Sequence, residues 1–183
     1  MGVIQNAFNQ MLTVGAVGMA TVGRELAQNE SKANESVRKV SESITNLGDT
    51  MTDATREASE IGSAMKSTEN DIRATEEALK YVDKRTKAGK AAVANLQNLI
   101  AKQREQNFGF DERIDILRRK VRDAEDNRIN AFAENATLQH RTKFGYLNEK
   151  SLNKKLDRIF EVGQKEYSTN LRKISRKLEG GKE

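Results

Sequence analysis

The feature that most constrains this chain is a seven-residue repeat of apolar side chains through its middle. One row of positions is Val37, Ile44, Met51, Ala58, Met65, Ile72, Leu79, Thr86, Val93, Ile100, Asn107, Ile114 and Val121, and eleven of these thirteen are apolar. A second row is Val40, Leu47, Ala54, Ile61, Thr68, Thr75, Val82, Gly89, Leu96, Gln103, Phe110, Leu117 and Ala124, with nine of thirteen apolar. An α-helix turns once in about 3.6 residues, so a row held to seven keeps facing a partner only if helices wind around one another. The pattern predicts an all-α fold with a very long coiled-coil-type helix, elongated and multimeric, plus a C-terminal helix.

Proline would forbid such a helix, since it lacks an N–H and clashes with the preceding turn. The chain has 183 residues and no proline, where average usage would supply roughly nine. Tryptophan is absent and aromatic residues make up 5%, which leaves little bulky material for a compact core. Unbroken from position 37 to 124, the helix would extend about 130 Å. Its predicted seam is Val37, Val40, Ile44, Leu47, Met51, Ile61, Met65, Ile72, Leu79, Val82, Val93, Leu96, Ile100, Ile114, Leu117 and Val121. Between them sit small or polar members, among them Ala54, Thr68, Thr86, Gly89 and Asn107. These favour shallow packing in a larger bundle over a tight zipper.

The segment Gln106-Asn107-Phe108-Gly109-Phe110-Asp111 offers a break, because Gly109 tolerates left-handed geometry and Asp111 could cap a helix starting at Glu112. A bend or hairpin near Gly109 would let the two arms satisfy part of each other's seam; a straight helix would leave the seam to other chains. The expected segments are an apolar N-terminal helix over 1–23, the long heptad helix over 24–106, a second helical segment over 111–143, and a basic helix over 147–179. Phe144-Gly145 marks the last break.

The first 23 residues carry no charged side chain. They lack the basic n-region of a secretory signal, and Gln5, Asn6, Asn9, Gln10, Thr13 and Thr21 interrupt the run of about 20 apolar residues that a membrane span needs. Ile4, Phe8, Met11, Leu12 and Val14 recur at helical spacing. They are candidates for docking into a channel or membrane, or for packing on other protein. At the other end, residues 141–183 hold 12 Lys/Arg against 6 Asp/Glu. Lys154, Lys155, Arg172, Lys173, Arg176 and Lys177 are the candidate phosphate contacts for non-specific, salt-dependent DNA binding. Interleaved Glu149, Asp157, Glu161 and Glu166 dilute that field, so a solvated or protein-facing helix is the competing reading.

Catalytic chemistry is hard to assemble from this composition. Cysteine is absent and His140 is the only histidine, which excludes thiolate chemistry and a histidine metal cluster. Gly89-Lys90 lacks the upstream glycine of a phosphate-binding loop. The reading is a non-enzyme with no cofactor and no metal, and with His140 as an ordinary surface or seam residue.

The uncharged MGVIQNAFNQMLTVGAVGMATVG, the long seam opening on QNESKANESV, and the basic tail together resemble the small internal virion, cargo or ejection proteins of short-tailed bacteriophages, including crAss-like phages. More loosely they resemble the DNA pilot proteins of microviruses. The likeness is one of layout over the whole chain. It implies a place in the virion, in the capsid interior or portal-tail region. It also implies partners that include other copies, virion proteins and portal or tail proteins, with DNA and membrane contact during delivery. A second resemblance, carried by ESITNLGDTMTDATREASEIGSAMKSTENDIRATEEALKYVDKRT, is to SNARE helices. It implies a cellular coiled-coil adaptor or membrane-fusion helix. No glutamine or arginine stands at a seam position between 37 and 82, where SNAREs place their polar central layer.

Overall fold

The computed structural model describes the backbone of residues 16–180 and the side chains of residues 27–180. Among the described residues there are three helices and no strand: α1 (Ala16–Leu79), α2 (Lys87–Phe144) and α3 (Glu149–Gly180). The all-α class read from the heptads is what the chain adopts. The helices contribute to two compact units, one joining the chain up to Thr45 with Asn127–Val162, the other joining Asn46–Asp126 with the chain from Gly163.

The long helix breaks at residues 80–86, not near Gly109. At its end, the amides of Lys80 and Tyr81 donate to Glu77 O and Ala78 O at 3.1 and 3.2 Å, a tightened last turn of 3-10 character. Thr86 then caps α2: its hydroxyl accepts the Gly89 N–H at 3.0 Å and donates to Asp83 O at 2.7 Å. Asp83 accepts the Arg85 amide at 2.9 Å. Gly89 is buried so tightly that a Cβ there would lie 2.1 Å from Asp83 O. Val82, expected in the seam, therefore lies in the turn and is exposed.

Gly109 sits inside α2, and space around it is open. Its neighbours explain why the helix continues. Phe110 and Ile114 are buried in the core, and that burial outweighs the cost of about 1 kcal/mol that glycine imposes on a helix interior. Asp111 is an exposed helical residue rather than a cap. The expected boundaries at 106 and 111 accordingly differ from the helix ends found. The break at Phe144-Gly145 is present, with Gly145 at φ 61° and Asn148 at φ 57° forming the turn into α3.

In the second unit Ala54, Ala58 and Ile61 of α1 pack with Phe110, Ile114, Leu117 and Val121 of α2 and with Ile174 of α3. Leu47, Ile72 and Leu79 are also buried, Met51 and Met65 partly so, and Val93, Leu96 and Ile100 are half-buried. The small residues of the seam bring the helices close. The chain directions oppose: Glu57 meets Arg113 at 3.0 Å, while Thr68, further along α1, donates to Gln106, further back along α2, at 2.6 Å.

In the first unit the buried row of α1 shifts. Ala33, Ser36 and Ser43 face inward, Val40 is half-buried, and Val37 and Ile44 remain 51% and 49% exposed. The serines can be buried because each is satisfied locally: Ser36 donates to Ala33 O at 2.6 Å and Ser43 to Val40 O at 2.7 Å. One position along a helix is a rotation of about 100°, enough to move a side chain from the packed face to its edge. Val37 and Ile44 are therefore not core residues of this chain.

Candidate interaction surfaces

Buried polar side chains tie α2 in register with α1 and with α3. Asn135 Nδ2 donates to Ser36 Oγ at 2.9 Å in the first unit. In the second, Thr68 donates to Gln106 and Asn170 Nδ2 donates to Glu125 Oε1 at 2.6 Å. Glu125 is 1% exposed. A hydrogen bond inside a protein is costly to leave unmade, so a slip of one heptad, which an apolar row alone would tolerate, would break these pairs. The surface pairs add less. Arg38 bridges Glu35 and Glu42, and Arg73 bridges Glu69, but exposed ion pairs contribute little individually. Arg38 holds the Glu35 carboxyl below its ordinary value by hydrogen bonding and charge.

His140 is buried rather than on the surface. Its Nε2 meets Leu147 O at 2.8 Å and its ring lies 5.0 Å from that of Phe144. This is a structural role, holding the α2–α3 turn against the end of α2. Among the described residues no group of three or more His, Asp or Glu could hold a metal ion. An open groove along α1 in the second unit is lined by Thr52, Thr55, Ser59, Glu60 and Ser63 and bordered by Arg56 and Lys177. No hydroxyl in it is paired with a base able to activate it.

The six candidate phosphate contacts are all exposed. Arg172, Lys173, Arg176 and Lys177 lie on the α3 segment of the second unit, and Lys154 and Lys155 on that of the first. Ile4, Phe8, Met11, Leu12 and Val14 lie outside the described residues. Among the described residues no helix is long and apolar enough to cross a membrane.

Several exposed apolar side chains were not singled out in the sequence. The α2–α3 turn carries the first cluster, where Tyr146 and Leu147 are 79% and 64% exposed. Others are Tyr81 in the turn between α1 and α2, Phe108 and Ile116 on α2, and Phe160 and Val162 on α3. Only a residue count showing that the turn holds just Gly145 to Asn148 would have pointed to the first. No protein-family model matches the chain, and neither a curated protein nor a solved structure matches it.

Proposed function

We propose that the chain is a non-catalytic structural component of a bacteriophage virion, a helical protein that multimerises and serves DNA delivery near the portal and tail. The observation that carries the multimer is the exposed pair Val37 and Ile44, two aliphatic side chains in heptad spacing on a helix whose adjacent face is already packed. A second helix laid along that edge would bury them in the manner of a coiled coil. The placement in a virion rests on the layout of the chain: a charge-free N-terminus, a long helical middle, and a basic excess confined to residues 141–183. In this reading the N-terminal segment docks into a channel or membrane, and the lysines and arginines of α3 touch DNA phosphates.

Sedimentation of the purified protein beside the Val37→Asp/Ile44→Asp double variant tests the assembly. The parent should sediment as a multimer and the variant as a folded monomer of unchanged helicity. A parent that stays monomeric at tens of micromolar removes the reading. Immunodetection in purified phage particles tests the placement.

A further inference from the structure

We propose that the turn between α2 and α3 is an interfacial anchor for anionic lipid bilayers, with Tyr146 and Leu147 entering the headgroup region and Arg141, Lys143 and Lys150 meeting lipid phosphates. This goes beyond the reading above and holds whatever assembly the chain belongs to. The turn is built rather than slack. Gly145 N–H donates to Arg141 O at 2.9 Å, Leu147 N–H donates to Phe144 O at 3.1 Å, and buried His140 meets Leu147 O. Left-handed backbone at Gly145 and Asn148 fixes the two side chains between them outward. Large apolar groups held in water at a turn tip mark a contact surface, and tyrosine suits the boundary between headgroups and acyl chains.

Charge around the tip fits an anionic surface. From residue 139 to 155 there are five cations, Arg141, Lys143, Lys150, Lys154 and Lys155, against the single carboxylate Glu149. The stretch of α1 that packs here adds little, with Lys32 set against Glu30 and Glu35. The exposed aliphatic Leu147 beside the ring favours a bilayer over a base-stacking platform, because stacking uses ring faces and gains nothing from a leucine side chain. The Arg141 guanidinium lies 5.1 Å from the Tyr146 ring centre, and Lys143 lies 5.3 Å from that of Phe144. Cations resting on rings at the water boundary pair instead with phosphates while the ring edge and Leu147 reach acyl carbon.

The start of α1 lies at the same end of this unit. Ser36 pairs with Asn135; nine residues on from Asn135 is Phe144, and nine residues back from Ser36 is Ala27. Helix α1 continues back from Ala27 to Ala16, and the chain before Arg24 is free of charge.

The protein has no tryptophan, so Tyr146→Trp in the full chain introduces a single reporter at the tip. With vesicles of phosphatidylcholine and phosphatidylglycerol its emission should shift to the blue and be quenched by brominated acyl chains. The shift should shrink in high salt and with phosphatidylcholine alone. The exposed double substitution Tyr146→Ser/Leu147→Ser should lower vesicle co-sedimentation roughly tenfold or more with helicity unchanged. The proposal is overturned if the reporter stays open to aqueous iodide on anionic vesicles, or if only single-stranded DNA shifts it. It is equally overturned if the double variant binds vesicles as the parent does, which would assign binding to the N-terminal segment alone.

Discussion

Three glycines in this chain do different work, and substitution by alanine separates them. At Gly109 nothing lies within 4 Å of a new Cβ, so Gly109→Ala should stabilise the protein by about 0.5–1 kcal/mol, the ordinary helix-interior gain. At Gly89 the same methyl would meet Asp83 O at 2.1 Å, and the turn must open, a loss of about 1–3 kcal/mol. At Gly145 the left-handed φ of 61° makes alanine cost about 1–2 kcal/mol. Thermal unfolding of the three variants checks the order, and a destabilising Gly109→Ala would restore a turn at that position. Asp83 adds a pH signature. The Arg85 amide and guanidinium hold its carboxyl below the ordinary aspartate value. Its contribution is therefore present above that ordinary value and lost as pH falls through the lower folded one. Protection of the Arg85 amide, its exchange rate measured against the intrinsic rate at each pH, should fall only at that acid end; a loss of protection at or above the ordinary aspartate value contradicts the contact.

Among the helices, sequence periodicity revealed much and misplaced one joint. The rows through Ala54, Ile61, Phe110, Leu117 and Val121 are the rows that pack, because side chains three and four apart share a helix face whatever covers it. The turn at 80–86 was harder to see because Leu79 and Val82 keep the repeat alive up to it. Its trace was there in Thr86 and Gly89, consecutive seam positions that are not apolar, and threonine three residues before a tightly packed glycine reads as a cap. Gly109 misled because glycine supplies freedom without requiring its use, and Phe110 and Ile114 on the next turn decide the conformation. Ser36 and Ser43 replacing Val37 and Ile44 was not legible at all. A buried serine depends on a nearby carbonyl and on Asn135, residues distant in sequence or invisible to hydropathy. Cutting Leu117→Ala, which is 3% exposed between the helices, should cost about 2–5 kcal/mol, whereas Ile116→Ala on the exposed side should change stability by under about 0.5 kcal/mol. Chemical denaturation compares them, and equal losses would place the packed face elsewhere.

For the whole molecule the consequence is that much of the heptad seam is closed by the chain itself. A long helix running past Gly109 from the N-terminal side would have required other copies to hide it. With the hairpin at 80–86, the proposed assembly would draw on surface left outside, which includes the Val37 and Ile44 edge, the α2–α3 turn, and the basic residues of α3. Self-closure and outward assembly are compatible, since they use different faces of α1. The candidate site was legible only as classes of surface. Charge and apolar residues are countable in sequence, but whether Tyr146 or Val37 stays outside is settled by packing. The most direct test of self-closure exploits the absence of cysteine. Glu57 and Arg113 touch at 3.0 Å across α1 and α2 through their side-chain ends, so Glu57→Cys/Arg113→Cys should be bridged within one chain by a short bis-maleimide that spans the length of the two lost side chains, at a yield independent of protein concentration. Crosslinking that occurs only between chains, or not at all, contradicts the hairpin and returns the seam to its partners.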